Sequence, residues 1–344
     1  MHIFTHIENS LQKKLPFVAY KKPNSTSIAS FFQSNDALVT TTNFYDSGFV
    51  FAPFDDTQEA ILIPEKEAVF REEMLTSFRT ENSAINIVTD VSSKENHINL
   101  VQKGITAIDN GLFKKVVLSR KELVALESFD VITVFKNLLA SYPNAMVYVW
   151  YHPHIGMWLG ATPETLVKIA NTEFETMALA GTQPFVEGAT VAWTSKEIDE
   201  QQFVTDYIVE KLTPICSQIS TSDTETIKAG SLLHLKTKIQ GSIKTDNADL
   251  IKTLHPTPAV CGLPKNSSKD FILSNELYKR TFYTGFLGEL NLNNNTQLFV
   301  NLRCMEIQNN NALIYIGGGI TKDSIPEKEW EETVAKDMVM KKVL

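Results

Sequence analysis

Cysteine is scarce in this chain: three among 344 residues, Cys216, Cys261 and Cys304. An odd, widely spaced trio makes neither a disulfide framework nor a zinc-ligand pattern. A reducing, cytoplasmic location is therefore the simplest expectation. Long apolar runs are missing too. No stretch approaches the roughly 18 apolar residues of a membrane span. The opening segment MHIFTHIENSLQKKLPFVAYKKP lacks the apolar core and small-residue cleavage site of a signal peptide. Nor is there an excess of positive charge, since 32 basic side chains face 40 acidic ones and the net charge is −8. Nucleic acid and anionic membranes call for clustered positive charge, so neither is expected as a partner. A small anionic ligand stays open, because a few local cations can hold one. No glycine-rich loop follows a strand and opens a helix. The run Gly317–Gly319 lies inside a strand pattern, without a dinucleotide-binding context. No Ser–His–Asp arrangement can be argued, and the seven histidines show no metal-ligand spacing.

What is present is the composition of an ordinary soluble globular protein, 43% hydrophobic and 21% charged. The length allows one large domain or two. Residues 1–95 mix short apolar runs with polar loops and give little pattern. A polar stretch at Ser92–Asn96 then leads into an expected helix over Ile98–Asn110, ended by Gly111. Hairpins follow. VYVWYH and MWLGAT flank Pro153–Gly156, and TLVKIA and EFETMAL flank Asn171–Thr172. Near the end GFLGELNL, QLFVNLRCMEI and ALIYIGGGI are separated by Asn-rich turns. Helical periodicity marks Ser195–Leu212, Asp249–Leu254 and the segment from Glu327 onward. Meanders with a few long helices give an α+β class, sheets covered by helices.

Several residues could carry chemistry. On the helix Ser195–Leu212, Val204, Tyr207, Ile208 and Lys211 continue one face, and extending it backward reaches Glu200 and Glu197. Acids in a first turn also favour the helix dipole without any further role. The C-terminal helix repeats the pattern, with Glu329, Glu332 and Lys336 beside an apolar stripe of Trp330, Val334 and Met338. Glu332 and Lys336 equally make an ordinary surface pair worth about 0.3–0.5 kcal/mol. Two Glu-x-x-Glu pairs can converge on one divalent cation, and oxygen-only ligands point to magnesium rather than zinc.

In FKKVVLSR, alternation puts Lys115, Val117 and Ser119 on one face and Lys114, Val116 and Leu118 on the other. One lysine must face the buried side, where it loses its proton more easily and can serve as a base. An edge-strand lysine that blunts aggregation fits the pattern as well. Glu164 follows Pro163 after a strand, as a turn residue or as something more. Arg303 lies in the apolar run LFVNLRC, where a buried guanidinium needs an anionic partner. His255 precedes a loop braced by Pro256 and Pro258 and reads equally as a capping or core histidine.

Taken together, FKKVVLSR, GATPETLV, ALAGT, SKEIDEQQFV, LHPTPAVCGLP, YTGFLGE, LRCMEI, IYIGGGI and PEKEWEETVAKDM resemble the chorismate-utilising enzymes. The branch most similar is isochorismate synthase. The strings occur in family order and span about Phe113 to Met338.

The resemblance implies roles position by position. Lys115 matches the general base that activates water for attack at ring carbon 2. Glu164 matches the general acid that protonates the hydroxyl leaving carbon 4. Glu200 and Glu332 match magnesium ligands, and Glu197 and Glu329 match the acids one turn before them. Arg303 and Tyr283 match residues near the enolpyruvyl carboxylate, helped by the Gly317 N–H. Lys336 matches a partner of the ring carboxylate. Gly181, Thr182 and His255 match the pocket lining, and Ala259 and Val260 match residues near the ring. In these roles Lys115 is expected to have a lowered pKa and Glu164 a raised one.

The implied fold is one structural domain of two mostly antiparallel sheets packed together, helices outside, with the site in a cleft. Residues 1–95 would be a variable part of that fold and 96–344 the catalytic region. Ala180 replaces the lysine of aminodeoxychorismate synthases, and anthranilate synthases lack the lysine seen at Lys115. A water-using enzyme that makes isochorismate is therefore expected, feeding menaquinone or siderophore assembly. The alternatives are a salicylate synthase and a chorismate-binding subunit of an aminotransferring synthase. No glutaminase partner is expected, and the chain is expected to be a monomer. Two positions depart from the family: Gln183 stands where arginine is frequent, and Gln201 where His or Asn is.

Overall fold

The computed structural model describes residues 2–75, 91–188, 190–229 and 232–344. At Val91, Thr182, Pro184, Lys196, Ala229 and Leu232 it describes the backbone alone. Among the described residues every strand pairing is antiparallel.

The strands form two sheets. In spatial order the first runs Gly262–Leu263, Lys115–Ala125, Asn311–Ile320, Cys304–Gln308, Gly156–Thr162, Met146–His152, Phe17–Lys21, Ser27–Gln33 and Ala68–Met74. The second runs Cys216–Thr221, Leu232–Ile243, Glu173–Pro184, Thr165–Ala170, Asn295–Val300, Phe286–Leu292, Gly48–Ala52, Ala60–Pro64 and Val39–Thr41, with Glu225–Ala229 also paired to Leu232–Ile243.

The strand Met146–His152 shows why these apolar runs are continuous rather than alternating. Met146, Tyr148 and Trp150 pack between the sheets with Phe51 and Phe299 of the second sheet. Val147 and Val149 point the other way, into a layer with Phe135 and Leu138 of the helix Val131–Ser141. A strand buried on both faces has no polar side to show. The second sheet is covered in turn by Val204, Ile208 and Leu212 of the helix Ser195–Leu212 and by Leu250 and Ile251 of Asn247–Leu254. The layers are thus helix, sheet, sheet, helix.

Asn-Asn pairs turn two of the hairpins. Asn293 and Asn294 have φ of 50° and 61°, and Asn309 and Asn310 have 47° and 60°. Two successive left-handed residues make the type I′ turn, which asparagine tolerates.

Three readings from sequence need correcting. The helix expected from Ile98 spans Val91–Asp109, so the polar stretch Ser92–Asn96 lies inside it. EFETMAL continues to Pro184. The run QLFVNLRCMEI is two strands, Asn295–Val300 in the second sheet and Cys304–Gln308 in the first. The chain crosses between sheets at residues 301–303. Asn301 fixes the crossing: its side chain accepts a hydrogen bond from the Tyr148 hydroxyl (2.7 Å) and donates one to the Phe282 carbonyl (2.9 Å). Apolar character on both sides of the crossing hides it from periodicity.

Candidate active site

A second crossing runs in the opposite sense. Strand Gly156–Thr162 belongs to the first sheet and Thr165–Ala170 to the second, with Pro163 and Glu164 between them. The two crossings are bonded side by side. The Val300 N–H donates to the Glu164 carbonyl (3.0 Å), the Thr162 hydroxyl to the Val300 carbonyl (2.5 Å) and the Ala161 N–H to the Arg303 carbonyl (2.8 Å). Glu164 and Arg303 are therefore carried by neighbouring connections, and they line one cavity of about 220 Å³.

The same cavity is lined by Lys115, Gly181, Glu197, Glu200, Ala259, Val260, Tyr283, Gly317, Glu329, Glu332 and Lys336. Both sheets, the N-terminal half of one helix and the C-terminal helix as far as Lys336 supply it. Two wider grooves, of 1210 and 1200 Å³, lie elsewhere, and neither is lined by Lys115, Glu164 or Arg303. Of the residues singled out from sequence, His255 is not in the lining. It is buried against the Pro53 carbonyl, to which Nε2 donates (2.9 Å), and burial lowers its pKa to about 4. It is a core histidine that ties the loop after it to the N-terminal part of the chain. The side chain of Thr182 lies outside those described.

Lys115 is the lysine that faces inward, while Lys114 is exposed and sits over the Phe203 ring, 5.5 Å from its centroid. The Lys115 amine donates to Glu200 Oε1 at 2.6 Å. Glu164 is 5% exposed, and burial pushes its carboxyl up to about 7 against the pull of Lys115 and Arg303. A carboxyl poised there is protonated or not within the neutral range. Arg303 is half-buried, and among the described residues no carboxylate lies within ion-pair distance of it. Burial lowers its pKa, opposed by Tyr283, Glu332 and Glu164. A largely desolvated guanidinium without an ion pair suits an incoming carboxylate.

The four glutamates share the cavity, and three of them have partners outside the set. Glu197 accepts from the Thr194 N–H (3.0 Å) and hydroxyl, which closes the start of its helix. Glu200 pairs with Lys115 and Glu332 with Lys336, whose amine also donates to the Gly317 carbonyl (3.0 Å). Among the described residues no group of three or more His, Cys, Asp or Glu is assembled to hold a metal ion. The donors are nonetheless all carboxylate oxygens, the chemistry of a hard divalent cation.

The three glycines give these side chains room. A Cβ at Gly317 would stand 2.8 Å from the Tyr283 hydroxyl, and one at Gly319 would stand 3.0 Å from Cε of Lys115. At Gly318 it would meet Glu329 Oε2 at 3.5 Å and Glu332 Oε1 at 3.8 Å. The glycine run is a floor under the site rather than a phosphate loop. Sequence reasoning missed Gly318, Gly319 and His234. His234 also lines the cavity, Nδ1 donating to the Gly181 carbonyl at 3.0 Å, and burial lowers its pKa to about 4. The strand alternation of LLHLKTKI carried a signal for it.

Gln201 is buried against the second sheet and donates to the Ala178 carbonyl and the Thr237 hydroxyl, both at 3.0 Å. It fastens the helix that bears Glu200 to the sheet. Nothing in the structure explains Gln183, whose buried Nε2 finds no acceptor among the described residues.

Comparison with known proteins joins this geometry to a family. Residues 31–344 match the model described as chorismate binding enzyme. The isochorismate synthase DhbC of Bacillus subtilis is 29% identical over 273 residues, 74% of this chain and 68% of that protein. Among solved structures, a 2,3-dihydroxybenzoate-specific isochorismate synthase, DhbC from Bacillus anthracis, superposes with a TM-score of 0.81 at 24% identity, covering 98% of both chains. The menaquinone-specific isochorismate synthase MenF of Escherichia coli gives 0.81 at 20% identity, covering 96% of this chain and 88% of that one. These superpositions show a common fold of two antiparallel sheets with outer helices. With the family match spanning nearly the whole length, the chain belongs to the chorismate binding enzymes.

Proposed function

We propose that the protein is an isochorismate synthase, a magnesium-dependent isomerase that adds water at ring carbon 2 of chorismate and expels the carbon 4 hydroxyl. The observation that carries this reading is the meeting of Lys115 and Glu164 in one cavity with an arginine that has no ion pair. Chorismate is a dianion with a poor leaving group. Lys115 takes the proton from the attacking water. Glu164, protonated near neutrality, gives its proton to the departing hydroxyl. Arg303 and the Tyr283 hydroxyl hold the enolpyruvyl carboxylate, and Lys336 faces the ring carboxylate. Ala259 and Val260 close the pocket beside the ring and exclude water from its apolar edge.

The carboxylates of Glu200 and Glu332 would hold the magnesium ion, with Glu197 and Glu329 behind them, and none of the four is a soft ligand. Bound there, the ion supplies positive charge to the ring carboxylate. The relatives named isochorismate synthase support the choice of reaction.

The chain acts as a cytoplasmic monomer without a glutaminase, and its product enters menaquinone or siderophore assembly. No helix among the described residues is long and apolar enough to cross a membrane. The described part of residues 1–95 forms one unit with the catalytic region. In support, Phe17–Lys21 pairs with Met146–His152, and Gly48–Ala52 with Phe286–Leu292.

Incubation of the purified protein with chorismate and magnesium, followed by separation of products, tests the proposal. Isochorismate alone supports it. Salicylate with pyruvate makes the protein a salicylate synthase, and turnover only with an amidotransferase makes it a subunit.

A further inference from the structure

Behind the cavity wall, outside its lining, lies a buried ion pair that the reaction does not use. Arg280 is 2% exposed, and its Nη2 and Nε donate to Glu276 Oε1 (2.6 Å) and Oε2 (2.8 Å). The other N–H groups are also engaged. Nη1 donates to the Val260 carbonyl (3.0 Å) and the Thr284 hydroxyl (3.2 Å), and Nη2 to the Val117 carbonyl (2.6 Å). Glu276 Oε1 accepts in addition from the Ser119 N–H (2.8 Å) and hydroxyl (2.7 Å).

Each of those acceptors belongs to a wall of the site. Val117 is two residues from Lys115, on the same strand face. Val260 and Thr284 line the cavity themselves, and Thr284 follows Tyr283. The turn around Tyr283 is strained as well: Thr281 and Thr284, both β-branched, have φ of 49° and 60°. Arg280 grips Thr284 through its hydroxyl, so the strained turn is fixed from below.

A buried ion pair is weak evidence of stabilisation, since desolvation offsets much of its Coulomb attraction. What a planar fork supplies is direction, with five donors in a rigid plane. Those donors tie together three segments that are remote in sequence. We infer that Arg280, oriented by Glu276, is a positioning residue that sets the Lys115 strand, the Ala259–Val260 loop and the Tyr283 turn at the spacing a chorismate-sized dianion requires. The inference rests on the chorismate reading of the cavity.

The test uses the full chain and two variants. Arg280→Lys keeps the charge and loses the fork. Ser119→Ala leaves the ion pair whole and removes one group that orients Glu276. Chorismate binding is measured by calorimetry and kcat and KM by steady-state assay, with circular dichroism reporting the fold. If the unsubstituted chain neither binds nor converts chorismate, the chorismate reading fails, and this inference with it. If it does, Arg280→Lys should raise Kd and KM about tenfold or more, and Ser119→Ala about two- to fivefold, in folded protein. Unchanged Kd and KM in folded Arg280→Lys overturn the positioning role alone. A fall in kcat that merely follows thermal stability, with KM constant, does the same. Should Arg280→Lys fail to fold, Ser119→Ala decides, and an unaltered KM there overturns it.

Discussion

The Lys115 amine stands 2.6 Å from Glu200 Oε1, joining a strand of one sheet to a helix laid over the other. The two residues line the same cavity from different elements of the fold. A carboxylate and an amine in such contact hold each other in place until substrate and cation arrive. The proposed chemistry therefore makes distinct demands on the two partners.

Lys115→Ala should leave the fold intact and reduce kcat about 10²–10⁴-fold, the scale of a lost general base. Steady-state kinetics on protein with unaltered circular dichroism checks this. Full turnover by the variant would remove Lys115 from the role.

Glu164 must be protonated to act as an acid, so activity should fall as pH rises through about 7, the value to which burial lifts its carboxyl. Stability has a matching sign. Between the ordinary value of 4.5 and about 7 the folded chain holds a proton that the unfolded chain has lost. Stability therefore declines with rising pH across that window. Glu164→Gln should flatten the pH dependence of melting and abolish turnover.

If Glu200 and Glu332 hold the cation as proposed, removing either should weaken cation binding more than folding. Glu200→Ala and Glu332→Ala each strand a lysine as well, Lys115 and Lys336. Magnesium titration by calorimetry should show affinity reduced about tenfold or more, with chelator abolishing turnover of the unsubstituted enzyme. Tight magnesium binding by both variants would point the carboxylates elsewhere.

The glycine floor makes a graded series. At Gly319 the obstacle to a methyl group is the flexible end of Lys115, so Gly319→Ala should spare melting temperature while lowering kcat about tenfold or more. At Gly317 the methyl would also stand 2.9 Å from the Leu118 carbonyl, so Gly317→Ala should lower both. Paired melting and kinetic measurements separate the two outcomes.

Local pattern carried much of this architecture. Strand alternation put Lys114 and Lys115 on opposite faces without saying which is buried, and Asn-rich turns marked two hairpins. Helical spacing put Glu197 and Glu200 on the face of their helix that reaches the cavity. What stayed hidden depends on partners far along the chain. Arg280 meets Val117 163 residues away, and Arg120 seats the C-terminal helix through Thr333 and Asp337 at separations above 200. His255 looked like a pocket residue because its loop does line the cavity, yet its ring turns to Pro53. The split of QLFVNLRCMEI is set by Asn301, whose two bonds come from Tyr148 and Phe282 and leave no trace in its neighbours.

The adjacent crossings at Glu164 and Arg303 have one more consequence. Because Glu164 and Arg303 ride on connections bonded side by side, any sliding of one layer over its mate must drag both groups together. Selection for a well-seated sandwich and selection for a well-placed Glu164 then act on the same few peptide units, and neither can drift without the other.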